Sequence, residues 1–295
     1  MTHARQINGA NLDHFVHTVY LPHIRRRKRS WRLDERHIAR YISPAFGKRQ
    51  LRRIHRNAIE QWLGALPQHG LATVTCNRIF TVMQALFSVA VRQGWVAASP
   101  CATVKPLPVA PRQDVFLSRE QANRVLARLA ATPLPATRAL QLLLLTGARK
   151  SEILQARWEH VHLENRVLTV PLSKSGKSRH IALSDAACRV IAAIPRLPGC
   201  PWLFPGVNDC SRPLRDVFPV WKRIREELEL GPVRVHDLRH TFASLLVAQG
   251  HSLYAVQRLL GHCDPRTTMR YAHLQQQELV AAADSVGAFI GVGQG

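Results

Sequence analysis

The stretch "ASPCATVKPLPVAPRQ" (Ala98–Gln113) decides how this chain is divided. Prolines at 100, 106, 108 and 111 remove backbone donors and fix φ, and no apolar periodicity runs through the segment. It reads as an extended linker, with a domain boundary near residue 112. Outward from it, residues 1–10 form an N-terminal tail, 11–99 a small helical domain, 100–112 the linker, and 113–295 a second domain ending in a C-terminal tail.

On the N-terminal side the clearest helix is "VTCNRIFTVMQALFSVAVRQG" (Val74–Gly94). There Ile79, Met83, Leu86, Phe87 and Ala90 share one face, and Gly94 is placed to end it. On the C-terminal side, "LSREQANRVLARLA" (Leu117–Ala130) opens with a capping-box pattern at Ser118 and Gln121. "ATRALQLLLLTG" (Ala136–Gly147) predicts a helix stopped by Gly147. "RVLTVPLSKSGKSRHIAL" (Arg166–Leu183) alternates apolar and polar residues on either side of Ser175-Gly176, as a hairpin does. Residues 236–284 return to helices, punctuated by Gly250, Gly261 and Asp264-Pro265, the last pair suited to a helix start. The fold class expected is mainly α with a small β-sheet (α+β).

Lys and Arg number 41 against 19 Asp and Glu, a formal charge of +22, so a polyanion gains by binding here through release of its condensed counterions. The surplus is uneven: residues 1–113 hold 18 basic and 4 acidic groups, residues 114–295 hold 23 and 15. Within "HIRRRKRSWR" (His23–Arg32), Arg25, Arg26, Arg27, Lys28 and Arg29 are the candidate phosphate contacts, and double-stranded DNA is the expected partner. Cysteines at 76, 101, 188, 200, 210 and 263 show neither CxxC pairing nor metal-ligand spacing. They suit a reducing cytoplasm. The first residues lack the apolar core of a signal peptide, and "LQLLLL" is too short to cross a bilayer. The expected setting is therefore cytoplasmic and nucleoid-associated, with no membrane partner.

His-x-x-Arg occurs three times, and chance readily supplies such pairs; His23 with Arg26 and His37 with Arg40 read as surface or DNA-facing groups. His236 with Arg239 lies in a wider series: "TGARKSEI" with Arg149 and Glu152, "SKSGKSRHIAL" with Lys174, "HDLRHTFAS", "LLGH" with His262, and "RTTMRYAHL" with Tyr271. This ordered Arg, Lys, His-x-x-Arg, His and Tyr set resembles the tyrosine site-specific recombinases, the phage integrase family, over nearly the whole chain. The resemblance implies a helical core-binding (SAM-like) N-terminal domain before a tyrosine-recombinase catalytic domain, the two closing on DNA as a clamp. It also implies a homo-tetramer across two recombination sites, accessory DNA-bending proteins, and a tail "QQQELVAAADSVGAF" packed on a neighbouring copy or on its own domain. Residues 1–10 alone precede the core-binding region, so the arm-site module of some integrases is not expected.

The chemistry agrees with that series. Transfer of a phosphodiester to Tyr271 needs cations on the non-bridging oxygens and an acid for the departing 5′-hydroxyl. Arg149 and Arg239 suit the phosphate clamp, Lys174 the acid with Lys177 a rival that contacts DNA, His236 the acceptor or relay of the tyrosine proton, and His262 a phosphate hydrogen bond. Glu152 would orient the basic cluster. No paired Asp/Glu cluster accompanies these residues, so no metal or other cofactor is expected, and because one phosphodiester is exchanged for another of similar energy, no ATP is expected either. A dimer-resolving recombinase, a type IB topoisomerase, a metal-dependent nuclease and a non-catalytic DNA-binding protein are the alternatives left open.

Overall fold

The computed structural model describes residues 10–110, 115–171, 178–207, 209–261, 264 and 266–272. The chain separates into two compact units, Met1–Arg112 and Gln113–Gly295.

The first unit is helical: α1 (Leu12–Phe15), α2 (Leu21–Arg25), α3 (Trp31–His37), α4 (Ser43–Phe46), α5 (Arg56–Ala65) and α6 (Thr73–Arg92). Wide π-turns, Val16–Tyr20 and Ile38–Ile42, join α1 to α2 and α3 to α4. Each lies just ahead of a proline, Pro22 or Pro44. A proline ring crowds the carbonyl four residues back and offers it no donor, so the helix opens there instead of closing an ordinary turn. The face of α6 carrying Ile79, Met83, Leu86, Phe87 and Ala90 is buried against Phe15, Phe46 and Ile42. By length and composition alone α6 could cross a membrane, but half of it is buried in this core, where its apolar residues are already spent. Part of the proline-rich stretch joins the same core: Cys101 and Val104 are buried, and Asn77 holds both the N–H and the C=O of Leu107 at 2.8 Å.

The second unit is built around α8 (Pro135–Thr146), apolar on nearly every side and therefore central. It is packed by α7 (Arg119–Ala130), α9 (Lys150–Leu154), α10 (Asp185–Ala192), α11 (Phe218–Glu227) and α12 (Asp237–Ala248). The capping box forms as expected, with Ser118 Oγ accepting from the Gln121 N–H at 3.2 Å and Gln121 Oε1 accepting from the Ser118 N–H at 2.9 Å. An antiparallel meander, β1 (Val161–His162), β2 (Val167–Val170) and β3 (Arg179–Ala182), supplies the small sheet, with Val170 opposite Arg179 at its open end. Helices α13 (Leu253–Leu260) and α14 (Arg266–Met269) follow α12. The α+β expectation holds for the described residues.

Candidate active site

Gly147 ends α8 at φ +61, where a side chain would also run into Phe242. The reversal it permits makes Arg149 the first residue of the next turn, and Glu152 reaches back from α9 to accept the Arg149 N–H at 2.9 Å. The same carboxylate accepts Arg149 Nη1 at 2.8 Å and Arg179 Nη2, from the start of β3, at 3.0 Å. Arg239, in the first turn of α12, donates to the Gly147 carbonyl at 2.7 Å and to the Leu260 carbonyl at 2.9 Å. Leu260 also accepts Arg179 Nη1 at 2.5 Å, and Gly261 accepts Arg149 Nη2 at 3.2 Å. Gly261 sits at φ +64, and a Cβ there would collide with the Arg179 guanidinium.

The arrangement is electrostatic. The negative ends of α8 and α13 and the Glu152 carboxylate gather three guanidiniums, Arg149, Arg179 and Arg239, at one place. One carboxylate cannot neutralise three cations. Burial, then the charges of Arg149 and Arg179, lower the Arg239 guanidinium to about 10, so it remains charged at neutral pH. Burial likewise lowers Arg179, whose Nε is buried with no partner among the described residues. A cluster with surplus charge and an unused donor is shaped for an anion with several acceptor oxygens.

Tyr271 is 2% exposed, its ring packed with Ala243, Val247, Val256 and Leu260. Its hydroxyl is nonetheless in a polar place: it lies 2.5 Å from Nδ1 of His240 and interacts electrostatically with Arg239. His236, the residue expected to serve the tyrosine proton, is exposed, and its ring meets that of His240 edge-on at 5.1 Å between centroids. Burial of part of the ring, then the Arg239 charge, hold its imidazole below the ordinary range. Among the described contacts it is His240, and not His236, that lies against the hydroxyl.

Arg149, Glu152, Arg239 and Tyr271, all singled out in the sequence, come together in the second unit. Lys174, Lys177 and His262, and the C-terminal tail, lie outside the described residues. In the first unit Arg26, Arg27 and Arg29 are exposed, while Arg25 pairs with Glu35 at 3.0 Å and stacks over Trp31, and Lys28 grips both oxygens of Asp34 at 2.6 and 2.7 Å. Sequence reading missed Arg179 and His240. His240 had a signal, being four residues from His236 on one helix face; Arg179 was absorbed into the strand alternation. Among the described residues no group of three His, Cys, Asp or Glu is placed to hold a metal ion.

Comparison with known proteins places these features in company. Residues 115–278 match the model described as "Phage integrase family". Tyrosine recombinase XerC of Xanthomonas campestris pv. campestris is 29% identical over 248 residues, covering 82% of this chain and 76% of the relative. The Tn1549 transposon integrase, solved in complex with a circular intermediate DNA, superposes with a TM-score of 0.74 at 19% identity, over 91% of this chain and 99% of that one. A lambda integrase tetramer bound to a Holliday junction gives a TM-score of 0.71 at 18% identity, over 90% of this chain and 81% of that one.

Proposed function

From the premise that this chain belongs to the phage integrase family, the tyrosine site-specific recombinases, we propose that it exchanges DNA strands through a 3′-phosphotyrosine intermediate and thereby integrates or excises a phage or other mobile element. The observation that carries this reading is the triple guanidinium cluster, buried Arg239 with partly buried Arg149 and Arg179, sharing one carboxylate beside a buried tyrosine hydroxyl.

Arg149 and Arg239 hold the non-bridging oxygens of the scissile phosphate in a site whose donors are fixed before the reaction begins. Arg179 and Glu152 keep those two guanidiniums aimed, Arg179 by sharing the Leu260 carbonyl with Arg239 and Glu152 by gripping Arg149. The Tyr271 oxygen attacks phosphorus, the bond to the 5′ oxygen breaks, and Lys174 protonates that oxygen, with His262 on the phosphate. One phosphodiester replaces another, so the step needs no ATP and the 5′-hydroxyl of a partner strand reverses it. Four copies on two sites, as in the lambda integrase assembly on a Holliday junction, complete the exchange. Arg26, Arg27 and Arg29 of the first unit track the DNA backbone.

Similarity to XerC supports a second outcome for the same chemistry, resolution of two sites carried on one molecule. The test is a nicked duplex whose short 5′ fragment diffuses away after cleavage, incubated with the full chain in chelator and without nucleotide. A covalent protein–DNA band from the wild type and none from Tyr271→Phe is expected. A band from Tyr271→Phe would falsify the nucleophile assignment, and cleavage lost in chelator would point to a metal-dependent nuclease.

A further inference from the structure

We infer that His240 is the residue that takes the phenolic proton of Tyr271 during cleavage and returns it during rejoining, a step that rests on the recombinase reading above. Nδ1 of His240 and Oη of Tyr271 are 2.5 Å apart, a short hydrogen-bonding contact with no room for another group between them. Both side chains are buried, His240 at 8% exposure and Tyr271 at 2%. A proton leaving the phenol is therefore best taken by the base already in contact with it.

The surroundings favour both products of the transfer. Arg239, one residue before His240, interacts with Tyr271, so a fixed positive charge eases the negative charge that builds on the phenolic oxygen. Asp237, buried and held ionised by its hydrogen bonds from Arg234 despite the opposing effect of burial, interacts with His240 from one turn earlier and favours the imidazolium. His236 meets the His240 ring edge-on, the two planes nearly perpendicular. For the transfer to run in this direction, neutral His240 carries its proton on Nε2, leaving the Nδ1 lone pair toward the phenol.

The step balances. The Oη–H bond breaks and its proton goes to Nδ1. An oxygen electron pair forms the Oη–P bond, the P–O5′ bond breaks with its pair on O5′, and the general acid supplies the proton that O5′ receives. Rejoining runs the same transfers backwards.

The experiment measures single-turnover formation of the covalent adduct by the full chain on the nicked substrate. His240→Ala is expected to slow it by about 10² or more, the usual scale for a lost proton-transfer group, with DNA binding retained. Free imidazole should restore part of the rate to His240→Ala and none to His240→Gln, whose amide fills the space. On a substrate whose bridging 5′ oxygen is sulfur, which leaves without an acid, the His240→Ala defect should persist. An adduct formed by His240→Ala within a few-fold of the wild-type rate, or a defect erased by the sulfur substrate, overturns the assignment. Absence of any wild-type adduct overturns the recombinase reading and this step with it. Because His240 is buried and its alanine variant removes a core side chain, ¹⁵N resonances of the imidazole in the wild type and in Tyr271→Phe give an independent measurement. An unprotonated Nδ1 whose shift moves in Tyr271→Phe is expected, and a protonated Nδ1 overturns the proposal.

Discussion

Each unit buries a carboxylate among basic side chains, and the two do it differently. In the first, Asp34 is 4% exposed and is gripped by one ammonium, that of Lys28, while Arg26, Arg27 and Arg29 stand in solvent. In the second, Glu152 is 7% exposed and receives Arg149 and Arg179, with Arg239 on the carbonyls beside them. The first site is charge-balanced and its surplus is solvated, so that surplus acts at long range and is screened by salt within about 8 Å at physiological ionic strength. The second keeps its surplus largely out of water and pointed at one place. Holding it there costs stability in the free protein, and that cost is consistent with a site complete only when an anion is bound.

The sharpest way to break this contrast is to remove Glu152. Glu152→Ala leaves partly buried Arg149 and Arg179 without their shared anion, and a loss of up to about 3–5 kcal/mol, the scale for breaking a buried pair on one side, is expected. Denaturant unfolding of the full chain reads it. A phosphate-bearing ligand such as duplex DNA should recover part of the loss, because the cluster regains a counter-charge; no recovery would mean that the carboxylate does more than balance charge. Arg149→Ala comes next. Removing one preorganised donor costs about 10² to 10³ in rate, so single-turnover cleavage should fall by that factor while DNA affinity stays near wild type. Equal losses of affinity and rate would show that the cluster only binds.

Lys28→Ala is the counterpart in the first unit. Lys28 is half-exposed, so its removal opens a path for water to buried Asp34, and the cost should stay near that of one unsatisfied buried group, about 1–3 kcal/mol. A loss as large as that of Glu152→Ala would erase the distinction between the two sites.

The sequence showed the elements more readily than the contacts between them. Ser118 with Gln121, and Gly147, marked helix ends because capping is local chemistry. The proline stretch looked extended, yet Leu107 is tied to Asn77, thirty residues away, and such a bond has no local signature. Arg149, Glu152 and Arg239 stood out by motif. What they touch did not: the carbonyl of Gly261 is over a hundred residues from Arg149 and becomes its partner only when α13 packs beside the loop after α8. His240 was hidden by its neighbour, since a motif read as His-x-x-Arg draws attention to its first and fourth residues and away from the fifth, which the helix turns toward Tyr271.

The smallest expected effect tests the solvated half of the contrast. Arg26 is exposed in the basic run, so its charge contributes through counterion release and not through a fixed geometry. Each phosphate contact adds about 0.9 to the slope of log affinity against log salt, so Arg26→Ala should flatten that slope by about one contact. Between 50 and 200 mM salt, the fourfold change then costs the variant about threefold less affinity than it costs the wild type. Filter binding or anisotropy across a salt series measures this, and single-turnover cleavage at saturating DNA should be unchanged, because no group of the guanidinium cluster has moved. If the slope stays the same while cleavage slows, Arg26 is acting by position and not by charge alone, and the division between a screened surface and a dry, aimed site fails at its simplest point.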